Sequence, residues 1–229
     1  MSFLSQTNLP TISGADLAGS RPIFPGIPGG KLADGLPLDD FSEKRLIFNH
    51  FDTPGQVHIY RADCAAGERL RAQLFVPVLS KGGTAVPAFA LIGQSLPYSA
   101  DAQKLPIELP KGYSAIVAPS PSKLLQPVED VLTRARYYPG PVIDTRTLVG
   151  GKCYLAVWSP QNQMGKYVIQ TGHRWPLAAT YWASIPYFWW QMRGWFGLDR
   201  SGAVGTVTGV ILVGLMAAWL LNKKVNSNR

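Results

Sequence analysis

From Gly202 to Leu221 the chain reads GAVGTVTGVILVGLMAAWLL, twenty residues with no charge and no proline. An α-helix rises about 1.5 Å per residue, so this run spans roughly 30 Å, the thickness of a bilayer's hydrocarbon core. A helix buried in a soluble domain keeps a polar face over such a length, and this one has none. Arg193 and Arg200 precede the run, and Asn222, Lys223 and Lys224 follow it at once. The sequence therefore predicts one C-terminal transmembrane helix over 201–222 and a basic tail over 223–229.

The residues leading into that run are unusual in a second way. Six of the seven tryptophans, all but Trp158, fall between Trp175 and Trp219. Segment 174–200 gathers Trp175, Trp182, Trp189, Trp190 and Trp195 among Tyr181, Tyr187, Phe188 and Phe196. Indole and phenol rings suit the headgroup layer, where an apolar body and a polar N–H or O–H are satisfied together. An interfacial aromatic helix over Ala178 to Phe196, bent near Pro186, is expected. Pro186, Gln191 and Arg193 argue against a second span. A Trp-rich, Arg-bearing patch equally suits a protein docking face, and the residues alone do not separate lipid from partner. Within the span, Gly205-x-x-x-Gly209 and Gly214-x-x-x-Ala218 set small residues four apart, a groove for a neighbouring helix.

Only here does composition add something. Charged residues are 16% of the chain, against about 25% in a typical soluble domain. With 46% hydrophobic residues the chain is no disordered protein. Its 23 Gly and 19 Pro cut most of it into pieces too short for a polytopic membrane protein. Part of the deficit is local: Trp175 to Leu221 holds Arg193, Asp199 and Arg200 as its charged residues.

The middle of the chain reads as β. Runs rich in β-branched and aromatic residues recur at Gln56–Cys64, Glu68–Pro77, Ala88–Ile92, Ser114–Ala118, Pro141–Leu148, Cys153–Trp158 and Lys166–Gln170. Ala65–Glu68 and Pro160–Gln163 read as hairpin links. Arg69, Arg71 and Gln73 alternate with Leu70, Ala72 and Leu74, one wet face and one buried face. A mainly β fold follows: a β-sandwich or jelly roll of about seven or eight antiparallel strands over 54–173. Residues 1–53, broken by Pro10, Pro22, Pro25, Pro28 and Pro37, read as an extended arm packed along the sandwich or a neighbour, or else as a disordered tail.

Two stretches carry a family resemblance. HIYRADCAAGERLRAQL (His58–Leu74) and GKCYLAVWSPQNQMGKYVIQTG (Gly151–Gly172) resemble the bacterial pre-peptidase C-terminal type of β-sandwich. Tyr60, Gly67, Leu70, Leu74, Tyr154, Leu155, Val157, Gly165 and Tyr167 take the places of that family's turn and core positions, and Pro87–Gly93 resembles its middle strand. The likeness covers roughly residues 50 to 172. It implies a non-enzymatic module on an exported or membrane-anchored bacterial protein, and it brings no catalytic residue. Ala62 and Cys64 depart from the pattern by replacing bulkier apolar residues.

Chemistry-bearing constellations are missing from the sequence. There is no Gly-x-Ser-x-Gly, no His-Glu-x-x-His and no phosphate loop, and His50, His58 and His173 stand apart from one another. Asp39, Asp40 and Glu43 read as a solvated turn rather than a Ca²⁺ site. No metal and no cofactor is expected. Cys64 and Cys153 lie in two of the expected strands; they read as buried thiols, and as a disulfide if those strands are neighbours. Scattered basic residues without stacking motifs leave nucleic acid out.

The first twenty residues lack a basic stretch followed by an apolar one, so no signal peptide is expected. On that ground the final helix reads as a tail anchor with the domain in the cytoplasm. Against it, Lys223, Lys224 and Arg229 slightly outnumber Arg193 and Arg200 and favour the tail in the cytoplasm and the sandwich on the periplasmic or luminal side of a bacterial inner or photosynthetic membrane. The function expected is a non-catalytic, single-span accessory subunit of a membrane complex, with other subunits and the lipid bilayer as partners. The alternatives are an anchored binding module for carbohydrate or peptide and, last, a hydrolase whose site the sequence hides.

Overall fold

The computed structural model of the protein describes residues 20–79, 83–97, 99–124, 126–130, 133–176, 181, 183–200 and 205. β-Branched and aromatic runs form strands, and Gly, Pro, Asn and Asp break them. In chain order they are β1 (Arg21–Ile23), β2 (Leu36–Pro37), β3 (Arg45–Phe51), β4 (Val57–Cys64), β5 (Arg69–Pro77) and β6 (Ala88–Gln94). There follow β7 (Tyr113–Ala118), β8 (Val128–Glu129), β9 (Arg136–Arg146), β10 (Gly151–Trp158), β11 (Gly165–Thr171) and the helix α1 (Ile185–Phe196).

The fold is mainly β and has two sheets. Six strands form the first in the order β1-β3-β11-β5-β9-β8, and five form the second in the order β2-β4-β10-β6-β7. Named strands pair antiparallel except at two edges, where β1 runs parallel to β3 and β2 parallel to β4. All seven expected strands are present, as β4 to β7 and β9 to β11.

Two expectations change. The turns at 65–68 and 160–163 are not hairpin links, because β4 and β10 belong to one sheet and β5 and β11 to the other. Each turn arches across the space between the sheets. Apolar faces explain this: Tyr60, Ala62 and Cys64 of β4 and Leu70, Ala72 and Leu74 of β5 enter one buried cluster. Stacked face to face the two strands bury each other, whereas side by side they would need a third layer. The second change is β3. Its residues lie inside the stretch read as an extended arm, yet β3 pairs with β11 along its whole length. Part of the arm does run along the sandwich, as β1 beside β3, and Phe24 stacks on Phe48 with ring centroids 4.9 Å apart.

Three apolar layers result. Between the sheets lie Ile47, Phe51, Tyr60, Leu74, Phe89, Leu155, Val157 and Ile169. On the outer face of the six-stranded sheet, Leu46, Phe48, Phe75, Tyr137 and Val168 meet Met192 and Phe196 of α1. Over the outer face of the other sheet, Leu105, Ile107 and Leu109 cover Ala90, Tyr154 and Trp158. Leu70, Ala72 and Leu74 are buried as the alternation predicts, but so is Gln73 on the opposite face. Gly172 ends β11 at φ +79°, where any Cβ would run into the Glu43 carbonyl; only glycine fits the turn.

Among the described residues no helix is long and apolar enough to cross a membrane. The run at 202–221 lies outside the described residues except for Gly205, which is helical and exposed.

Candidate functional site

Helix α1 is the element that the aromatic segment builds. A turn at Ser184 separates the helical residues Tyr181 and Ala183 from α1, and Pro186 sits in the first turn of the helix. Pro there costs no hydrogen bond, since the first N–H groups of a helix have no partner. The break expected near Pro186 is thus the start of α1. Gly197 closes the helix at φ +69°, with Leu198 N–H bonded to the Arg193 carbonyl at 2.9 Å. This left-handed cap turns Leu198 back onto the sheet.

The helix has two apolar faces. Met192 and Phe196 point into the sheet, where Phe196 meets Tyr137 at 5.1 Å and Phe48 at 6.3 Å. Opposite them Tyr187 is 60% exposed and Trp190 41%. A surface helix in a soluble protein turns its polar side outward.

Each tryptophan of the segment that the structure describes carries a cation over its ring. Lys44 lies 4.7 Å from Trp175, Lys166 4.7 Å from Trp195, Arg193 5.1 Å from Trp189, and Arg200 4.8 Å from Trp190. Two of the cations also rivet the helix down. Arg193 donates through Nη1 to the Thr133 carbonyl at 3.0 Å and through Nε to the Asp199 carbonyl at 2.9 Å. Lys166 donates to the Trp195 carbonyl, and burial holds its ammonium below the usual lysine range. Trp182, Gly209, Gly214 and Ala218 lie outside the described residues.

Cys64 and Cys153 are buried free thiols on neighbouring strands, two residues out of register. The neighbouring Cys153 thiol together with burial pushes the Cys64 thiol up. The acidic turn is spent on protein groups: Asp40 accepts from the Ser42 N–H at 2.6 Å, and Asp39 and Glu43 both face Arg45. Among the described residues no three His, Cys, Asp or Glu side chains gather as a metal site.

A buried polar chain that sequence reading missed crosses the core. Asn49 Nδ2 donates to Tyr60 Oη at 2.9 Å, Tyr60 and Tyr167 hydroxyls meet at 3.1 Å, and Tyr167 Oη lies 2.6 Å from His58 Nδ1. Donors pointing one way along the chain satisfy every link and leave the His58 Nε2–H without an acceptor. Burial lowers the His58 pKa from 6.5 to about 4; the His50 charge adds to this and Asp52 opposes it. Burial also raises Tyr60, to about 12, and Tyr167. Closed to solvent and neutral at physiological pH, this chain is built for holding two sheets together rather than for proton transfer.

No protein-family model matches the chain, and no curated protein matches it. Solved structures that resemble it include PliG of Aeromonas hydrophila, a periplasmic lysozyme inhibitor of g-type lysozyme. That likeness has 10% identity over 66% of this chain and 97% of the other, with a TM-score of 0.34. The same inhibitor from Salmonella Typhimurium has 11% identity over 66% and 96%, with a TM-score of 0.28. Likenesses of this size assign neither fold nor function. The site rests on its own geometry.

Proposed function

We propose that the protein is a non-catalytic, membrane-attached accessory subunit whose two-sheet domain covers the aqueous face of partner subunits. The observation that carries this reading is the outward face of α1. Tyr187 and Trp190 stay exposed on a helix whose other face is already sunk into the sheet. The apolar run of bilayer length starts six residues after α1 ends. Rings at that position match the headgroup layer, and the run matches the hydrocarbon core. The domain then belongs on the periplasmic or luminal side, with the tail at Lys223 and Lys224 in the cytoplasm.

The test is the mass of the full chain extracted in mild detergent from its own membranes. A complex with co-purifying subunits is expected; a lone monomer overturns the accessory role. Protease protection on intact vesicles checks the side, where a protected tail and a digested domain in inside-out vesicles would reverse it.

One observation favours the binding-module alternative. A hollow of about 320 Å³ on the outer face of the five-stranded sheet is walled by Trp158, Pro119 and Pro160, with Lys104, Ser120 and Gln161 among its lining residues. Saturable change in Trp158 fluorescence with an oligosaccharide or Pro-rich peptide would support that reading.

A further inference from the structure

We propose that the outward face of α1 recognises anionic phospholipid, with Arg200 and Trp190 as the headgroup site. This rests on the membrane reading above and names the lipid that it engages. Of the cations stacked on the segment's tryptophans, Arg193 and Lys166 are committed to backbone carbonyls. Arg200 differs. Among the described residues it makes no ion pair, and its Nε is buried without an acceptor. Its guanidinium lies 4.8 Å over Trp190, the ring left exposed on α1.

Gly194 makes that placement possible. The guanidinium folds so closely over this residue that a Cβ would occupy its space. The Nε–Nη2 side of the guanidinium rests against Gly194, which leaves Nη1 as the group to donate a charge-assisted hydrogen bond to a phosphate oxygen. Stacking on the ring also offsets part of the cost of taking the charge out of water.

The chain itself argues for lipid as the occupant. Residues 201–229 follow Arg200 directly, and the apolar run begins two residues on at Gly202. Arg200 therefore stands where chain leaves the aqueous side, at the depth of lipid phosphates. Segment 174–200 carries Arg174, Arg193 and Arg200 against Asp199 alone, so an anionic headgroup complements it in charge.

The experiment uses the full chain with Trp219→Phe, in phosphatidylcholine nanodiscs holding a fixed fraction of acyl-brominated lipid. Brominated phosphatidylglycerol is compared with brominated phosphatidylcholine by quenching of indole fluorescence, with buried Trp158 as a constant background. A cation at an anionic surface should enrich the anionic lipid about five-fold. The expected result is stronger quenching by phosphatidylglycerol, a preference that falls toward one in Arg200→Gln and Gly194→Ala. High salt should shrink it as well, a check that needs no variant to fold. Equal quenching by both lipids, or a preference that survives in folded Arg200→Gln, overturns the headgroup site while leaving the membrane reading standing. Quenching by neither lipid overturns the membrane reading itself.

Discussion

His58 should make the protein acid-sensitive by an amount that can be worked out. Its side chain is fully buried, and its pKa is lowered from 6.5 to about 4. The unfolded chain binds a proton near pH 6.5 that the folded chain refuses until near pH 4. Stability is therefore complete above pH 6.5 and falls as the pH drops through the window between the two values. Each pH unit well inside that window costs about 1.4 kcal/mol. The full shift amounts to roughly 3.4 kcal/mol, of which about 2 kcal/mol is already gone at pH 5. The assay is urea unfolding of the detergent-solubilised chain at pH 7.5 and pH 5, beside His58→Gln. Glutamine can still accept from Tyr167 but cannot titrate. Asp144, held low by its hydrogen bond from Arg69, also loses stability in acid, but equally in both proteins. His58→Gln should lose about 2 kcal/mol less than the parent between the two pH values. Equal losses would refute the reasoning, because they would mean that His58 takes up its proton as freely folded as unfolded.

Phe196→Ala removes the ring that joins α1 to Phe48 and Tyr137, and should cost about 3–5 kcal/mol by thermal or urea unfolding. Gly172→Ala, at φ +79° under the Glu43 carbonyl, should destabilise by more than about 1 kcal/mol and lower the melting temperature. In an oxidising compartment the adjacent thiols of Cys64 and Cys153 should be found bridged, shown by intact mass under acid quench with and without reductant. Such a bridge closes a loop of roughly 90 residues, for which chain entropy predicts stabilisation of about 4 kcal/mol or more, lost on reduction. Free thiols in protein taken from its own membranes would argue for a reducing side.

How far the sequence reached depended on what each signal is local to. Strands β4 and β5 were legible because their alternation or composition sits in consecutive residues. β3 was not, because α1 covers one face and the core the other, so Leu46, Ile47, Phe48 and Phe51 show no alternation. Asn49 and His50 then broke the run into something loop-like. Turn residues announce that the chain reverses, but not whether the next strand pairs beside the last or stacks across from it; hence the two misread arches. The tryptophan cluster was plain from counting. The cations upon it were not, since Lys44 and Lys166 come from distant parts of the sandwich. Nor was the polar chain, whose His58 and Tyr167 are 109 residues apart.

The strand order has a consequence for when the domain can form. β3 finds its long partner only in β11, and β4 only in β10, so the earliest strands wait on the latest. Loop closure over such separations is slow, and it leaves apolar strand faces uncovered in the meantime. During synthesis the two sheets cannot close until Thr171 has emerged to pair with Arg45, and α1 and the apolar run follow it closely in the sequence. Assembly of the domain and emergence of the apolar run thus fall in the same short interval. A nascent chain stalled before β11 has emerged would expose its unpaired edges, whereas one stalled after α1 has left the ribosome would already hold its fold.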